Sequence, residues 1–244
     1  MSYTDFSLFY DRLTENIDYE ALAEMYAGLL YRNGTKGGKL LDLACGTGSL
    51  SVLLAERGFD VTAADISEEM LTAAAAKGGE IQRLCADMTE LPFVEQFDAV
   101  ICALDSINHL PDLPAMQQTF DGVYRSLKEG GVFAADLNTP YKHRQVLGNN
   151  AYTFDYDGLY CGWQNELDEN DPLCRVDMFL DFFAENEDGS YMRYSDSVSE
   201  IAPTPETVAE MLEKSGFREI AVCEYPAGGK LTDISEKFTV TARK

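Results

Sequence analysis

From Lys39 to about Leu137, short apolar runs alternate with stretches whose apolar residues recur at three- and four-residue spacing. Lys39 to Ala44, Phe59 to Ala64, Ile81 to Ala86, Phe97 to Ala103 and Gly131 to Leu137 read as strands. Ser49 to about Arg57, Glu68 to Ala76 and Leu113 to Leu127 read as the helices between them. This alternation predicts a doubly wound α/β fold: a mostly parallel sheet, helices on both faces and right-handed crossovers. In such folds ligands sit at the carboxyl ends of the strands, where strand order reverses. Upstream, Tyr19, Leu22, Ala23, Tyr26, Leu29 and Leu30 share one face of an amphipathic helix, within an aromatic and helical arm over 1–38.

The period changes to two over 151–201, where Cys174, Val176, Met178, Leu180 and Phe182 alternate with Arg175, Asp177, Phe179, Asp181 and Phe183. With turn signals at Asp157-Gly158 and Asp188-Gly189, this predicts an antiparallel β-meander inserted into the main domain, which then comprises 39–150 and 202–244. Asn165 to Pro172 reads as an acidic, solvated loop. The main domain resumes with a helix capped by Thr204, with Pro205 at its first position, and ends in two strands near 218–225 and 237–243.

Composition narrows the function. Lys and Arg total 19 against 42 Asp and Glu, a formal charge of −23, which repels phosphate backbones and anionic membranes and makes nucleic acid an unlikely partner. No apolar run reaches the ~18 residues of a membrane span, and Met1 to Asp5 lacks the features of a secretory signal, so a cytoplasmic protein is expected. The six cysteines are scattered without a paired spacing, so neither a zinc site nor a disulfide framework is signalled, and no metal is expected.

Candidate chemistry centres on Leu40 to Leu50, a strand, a turn and a helix start. Gly46 and Gly48 let the backbone bend sharply and approach a ligand, and the helix beyond offers unpaired N–H groups. Asp42, inside the strand, either faces that ligand or caps the turn. Asp65 ends the second strand, where an acid can accept hydrogen bonds from both ribose hydroxyls of an adenosine. Asp87-Met88 follows the third strand, placed to bound an adenine.

These residues resemble the class I S-adenosylmethionine-dependent methyltransferases. The likeness rests on Leu41-Asp42-Leu43-Ala44-Cys45-Gly46-Thr47-Gly48, Asp65-Ile66-Ser67-Glu68-Glu69-Met70-Leu71, Ala86-Asp87-Met88 with Leu91-Pro92-Phe93, Phe97-Asp98-Ala99-Val100 and Leu127-Lys128-Glu129-Gly130-Gly131. Ala44 stands where the family usually has a glycine. The resemblance implies a Rossmann-like sheet of seven strands that binds S-adenosylmethionine and releases S-adenosylhomocysteine. It implies that Asp42, Ala44, Gly46, Thr47 and Gly48 cradle the methionine part, Asp65 the ribose, Ile66 one adenine face, Asp87 and Met88 its edge, with Leu104 beneath the methionine. Phe9-Tyr10-Asp11 is similar to the arm of glycine and amino-sugar N-methyltransferases, which makes Tyr10 either a contact of the cofactor carboxylate or an aromatic staple of the arm.

The expected reaction is in-line methyl transfer to a small molecule, an amine slightly preferred over a hydroxyl, in a site closed by the arm and the meander. No catalytic residue is assigned. His109 either takes the acceptor's proton or caps the next helix, and Tyr160, Trp163, Tyr191 and Tyr194 are possible wall residues. Ala103-Leu104-Asp105-Ser106-Ile107 lacks the run that resembling enzymes use on exocyclic base amines. Asp105, Asp136 and Asn138 stand where a magnesium-dependent type binds its metal, but their surroundings do not match. The rival readings are a non-enzymatic cofactor-binding module and a nicotinamide-dependent oxidoreductase; the second needs a third glycine where Ser51 stands.

Overall fold

The computed structural model describes residues 6–226 and 228–244; the expectation for Met1 to Asp5 falls outside them. Two helices, α1 (Phe6–Leu13) and α2 (Tyr19–Arg32), precede β1 (Gly38–Leu43). The alternating region then gives α3 (Ser49–Glu56), β2 (Phe59–Asp65), α4 (Glu68–Ala76), β3 (Gln82–Cys85), β4 (Phe97–Cys102), α5 (Leu113–Ser126) and β5 (Leu127–Asn138). After the inserted strands come α6 (Pro205–Ser215) and a closing pair of strands, Arg218–Glu224 and Lys237–Arg243. The inserted strands are β6 (Ala151–Tyr156), β7 (Leu159–Leu167), β8 (Val176–Glu185) and β9 (Tyr191–Glu200), so the closing pair is β10 and β11.

The main sheet has the order β10-β11-β5-β4-β1-β2-β3, and only β11 runs antiparallel to its neighbours. β2 and β4 flank β1 on opposite sides, with Asp42 opposite Ala63 on one and Ile101 on the other. The reversal of strand order therefore falls between β1 and β4, and the turn after β1 opens onto it.

The apolar stripe of α2 explains its place. Leu22, Tyr26 and Leu30 pack with Leu54 of α3 against Leu40 and Ile101, while Phe120, Val123, Leu212 and Phe217 cover the other face over Phe133 and Phe238. A side chain of this size, fully buried, contributes ~2 kcal/mol, so two covered faces hold the central strands rigidly. Rigid strand tips are what position the site.

The second sheet runs β6-β7-β8-β9, all antiparallel, as the two-residue alternation predicts. Its inward face, Cys161, Val176, Met178, Leu180, Phe182 and Val198, is completed by Phe9 of α1, whose ring stacks on Phe182 at 4.8 Å and meets Tyr194 edge-on at 5.2 Å. The acidic-loop expectation for Asn165 to Pro172 needs correcting at its start. Asn165 is buried within β7, where its side chain accepts the Trp163 indole N–H and donates to the Leu147 carbonyl. Acidic neighbours hid its inward phase.

Candidate active site

Three strand tips meet around the turn after β1. Gly46 takes φ +55 and its N–H donates to Asp65 Oδ2 at 2.8 Å, so the acid ending β2 holds the turn that follows β1. Asp65 Oδ1 accepts from Ser67 N–H at 2.9 Å at the start of α4. Burial raises the Asp65 pKa, an effect these backbone donors partly offset. Asp42 is buried and accepts the Ser51 hydroxyl of α3; burial pushes its carboxyl up to about 7 against that hydrogen bond. Ser51 is thus a fixed partner of Asp42 at the position where a dinucleotide fingerprint would have its third glycine.

The backbone is bent hard at the strand ends. Ala44, Leu104 and Asp105 have φ of 56, 56 and 54, left-handed values that cost a side-chain-bearing residue ~1 kcal/mol or more. At Ala44 this shows why the family favours glycine: the residue bends the chain before Gly46.

Between these tips lies a cleft of about 500 Å³. Of the residues expected in the site, Tyr10, Ala44, Gly46, Asp65, Ile66, Asp87, Met88 and Leu104 line it. Asp42 and Thr47 instead line an adjoining space of about 20 Å³, shared with Tyr10, Tyr19, Ala44 and Leu104. Gly48 lines neither; at φ +74 it starts α3, where a Cβ would stand 2.9 Å from that of Ala74. Asp87 is exposed, and its Oδ1 accepts both the N–H and the hydroxyl of Thr89, so it caps the turn after β3 while bordering the cleft.

The arm covers the turn through consecutive residues. Phe9 is fixed on the second sheet, Tyr10 lies over Gly46 with 3.8 Å between its ring and the place of a Cβ there, and Asp11 accepts the Thr47 hydroxyl at 2.6 Å and the Lys77 ammonium at 2.8 Å. Burial raises the Tyr10 pKa. Tyr160, Trp163, Tyr191 and Tyr194 do not line the cleft; Tyr160 and Tyr191 are exposed, and Tyr194 is taken up by Phe9.

At the tips of β4 and β5, Lys237 of β11 stands between Asp105 at 3.2 Å and Asp136 at 3.0 Å. Burial opposes its charge, but the two carboxylates outweigh it and raise the Lys237 pKa. Burial likewise opposes the charge of Asp105, but Lys237 and Lys142 hold its carboxyl below the usual range. An ammonium therefore neutralises the two carboxylates at the tips of β4 and β5. Asp136 also accepts the Tyr26 hydroxyl at 2.6 Å and Leu104 N–H at 2.8 Å, which ties α2 and the turn after β4 to β5.

The strand order, the glycine turn after β1 and the acid ending β2 define a class I methyltransferase. A family model described as "Methyltransferase domain" matches residues 40–131. A provisionally named methyltransferase of Geobacillus sp. (strain WCH70) is 30% identical over 253 residues, covering 100% of both chains. A crystal structure of an S-adenosylmethionine-dependent methyltransferase from Clostridium acetobutylicum ATCC 824 is similar with a TM-score of 0.87 at 30% identity, over 99% of this chain and 98% of that one. The glycine/sarcosine N-methyltransferase of Parasynechococcus marenigrum (strain WH8102) is 32% identical over 170 residues, 67% of this chain and 59% of that protein. The chain belongs to the S-adenosylmethionine-dependent methyltransferases. Its cofactor is S-adenosylmethionine, and both rival readings fall away.

The residues fit that cofactor. The cleft has the volume of a small-molecule site, its floor is a turn without side chains at Gly46, and two carboxylates burdened by burial stand beside it, an environment a sulfonium cation relieves.

Proposed function

We propose that this chain methylates an amine nitrogen on a small molecule that carries no carboxylate or phosphate near the reacting end. The observation that carries this reading is the charge of the cleft. Apart from Asp65 and Asp87, which this reading gives to the cofactor, His109 stands in its lining, and among the described residues no lysine or arginine lines it. An approaching ammonium meets no opposing cation there, whereas a carboxylate would lose hydration without gaining a cationic partner. Glycine and sarcosine, which the Parasynechococcus relative's name gives as its substrates, carry such a carboxylate.

In this reading Asp65 holds the ribose, Ile66 covers one adenine face, and Asp87 and Met88 bound its edge. Asp42, Ala44, Gly46, Thr47 and Gly48 shape the methionine end, Tyr10 covers it, and Leu104 lies beneath. Bound there, S-adenosylmethionine supplies a methyl group on a positively charged sulfur. The protein's own part is orientation and exclusion of water, which can provide most of the acceleration when the nucleophile is a free amine. The arm over 1–38 and the sheet over 151–201 act as covers of the domain formed by 39–150 and 202–244.

The test measures S-adenosylhomocysteine release with alkylamines, amino sugars, their hydroxyl analogues and amino acids as acceptors. The expected result is turnover with amines free of carboxylate and at least about tenfold less with the matched amino acids or alcohols. Preference for an amino acid would overturn the reading.

A further inference from the structure

Lys237 is the first residue of β11, and its side chain, 17% exposed, reaches across the ends of β5 and β4. Its Nζ donates to Asp136 Oδ2 at 3.0 Å and to Asp105 Oδ1 at 3.2 Å, and it lies 5.2 Å from the centre of the Tyr225 ring. Asp136 is fully buried and gathers three further donors: the Tyr26 hydroxyl at 2.6 Å, Leu104 N–H at 2.8 Å and Asp105 N–H at 3.2 Å. Asp105 is thus tied to Asp136 twice, through its own backbone and through the Lys237 ammonium. Among the described residues, Lys237 is the one cation in an ion pair with Asp136.

The segment held in this way is bent against preference. Leu104 and Asp105 are consecutive residues with side chains and φ of 56 and 54, and such a pair persists only where its surroundings over-determine it. The far end of the same turn has its own anchors. Asn108 donates its side-chain amide to the Asn138 and Ile201 carbonyls, at 3.3 Å and 2.8 Å, and accepts Asn138 N–H at 3.0 Å. His109, whose Nε2 lies 3.5 Å from Glu200 Oε1, does not cap the next helix; Asp112 does, accepting Ala115 N–H at 2.8 Å. Glu200 in turn lies 3.1 Å from His143 and accepts Asn138 Nδ2 at 2.8 Å. The near end rests on Asp136, on Lys237 and on a second bond of Asn138, which donates to Asp105 Oδ2 at 2.7 Å.

The near end is also the part that meets ligand, since Leu104 lines both the cleft and the small space beside Asp42 and Thr47. We infer that Lys237 is a positioning residue for the cofactor: by compensating Asp105 and Asp136 together, it keeps the turn of Leu104 and Asp105 in the left-handed shape that seats the methionine end. The inference rests on the proposed placement of that end over Leu104. Without the ammonium, two carboxylates would be left together at the strand tips, one of them fully buried, and like charges so close repel. Asp105 can relieve this by swinging outward, because its side chain is already 22% exposed. The strained turn then relaxes toward an ordinary conformation and carries Leu104 with it.

A cation that bridges two acids has a signature that a generally stabilising residue lacks. Its loss weakens ligands that use Leu104 and spares those that do not, and the effect disappears when one of the two acids is neutralised. Asparagine is suited to replace Asp105, since it tolerates the left-handed region and its Oδ1 still accepts Asn138 Nδ2.

Calorimetric titration of the full chain with S-adenosylhomocysteine and with methylthioadenosine, which lacks the amino-acid end, tests this, together with hydrogen exchange of the backbone amides in the free protein. Lys237→Met should bind S-adenosylhomocysteine about tenfold more weakly and methylthioadenosine within about twofold of the wild type, and the Leu104 and Asp105 amides should lose protection. Adding Asp105→Asn to Lys237→Met should restore S-adenosylhomocysteine affinity to within about threefold of the wild type. Should Lys237→Met fail to fold, this double variant carries the comparison with the wild type. Equal losses for both ligands, unchanged S-adenosylhomocysteine affinity in Lys237→Met, or no recovery in the double variant would each overturn the inference. Leu104→Ala tests the placement separately, and it should weaken S-adenosylhomocysteine and spare methylthioadenosine. If it changes neither, the methionine end lies elsewhere and the placement fails, while protection of the two amides in Lys237→Met still decides whether Lys237 holds the turn.

Discussion

Asp42 shows how one residue ties sequence to stability. Its carboxyl is raised by burial to about 7 from an ordinary value near 4, so the folded state holds a proton that the unfolded chain has already released across that window. The stability this contributes is fully present below about pH 4 and is lost as pH rises through 7. Asp42→Asn removes the titration. The unfolding free energy of the wild type, measured against that variant from pH 5 to pH 8 without ligand, should fall progressively by about 3 kcal/mol, most of a total on the order of 4 kcal/mol at full ionisation. A constant difference across that range would show that Asp42 stays ionised. Asp42, Gly46, Asp65 and Met88 were legible because they stand at fixed offsets from strand ends that the apolar pattern marks. Lys237 and Glu200 were not. Lys237 lies 101 residues from Asp136, and Glu200 lies 57 from His143, distances at which spacing carries no information. Glu200 did leave one trace: it shares the inward phase of β9 with Val198, and an acid in that phase asks for a buried partner.

At the scale of elements, the arm is the part that governs access. α1 joins the second sheet through Phe9, the glycine turn through Tyr10, and α4 through the pair of Asp11 with Lys77. Only about 20 Å³ remains beside Asp42 and Thr47, so the proposed placement of the methionine end there predicts that the arm lifts to admit it. Lys77 also reaches the Thr47 and Ser49 hydroxyls, at 2.8 Å and 2.6 Å. Lys77→Ala should release the arm and speed S-adenosylhomocysteine dissociation about three- to tenfold, measured by stopped-flow displacement. An unchanged rate would mean that Phe9 and Tyr10 alone hold the arm. The aromatic cluster was visible in the sequence, but its target was not. Nothing in Phe9-Tyr10-Asp11 says that neighbouring side chains serve three different elements.

For the molecule as a whole, the order of elements followed from the alternation of periods, and the inserted sheet from the switch to a period of two. What the pattern could not convey is how the insertion contributes to the site. The four aromatics that looked like wall residues stay off the cleft, while Glu200, from the last position of the inserted sheet, reaches the histidine that borders it. The acidic balance of 19 basic against 42 acidic residues continues into the cleft, where it acquires a chemical meaning as an environment for cations. The central claim is that the adenosyl cofactor sits between the Gly46 turn and Asp65. Calorimetric titration of S-adenosylhomocysteine into wild type and Asp65→Ala, with folding of both checked by circular dichroism, tests it most directly. One site per chain in the wild type and a loss of about 100-fold or more in the folded variant is the predicted result, consistent with the removal of charge-assisted hydrogen bonds. Equal affinity in a folded Asp65→Ala would contradict it.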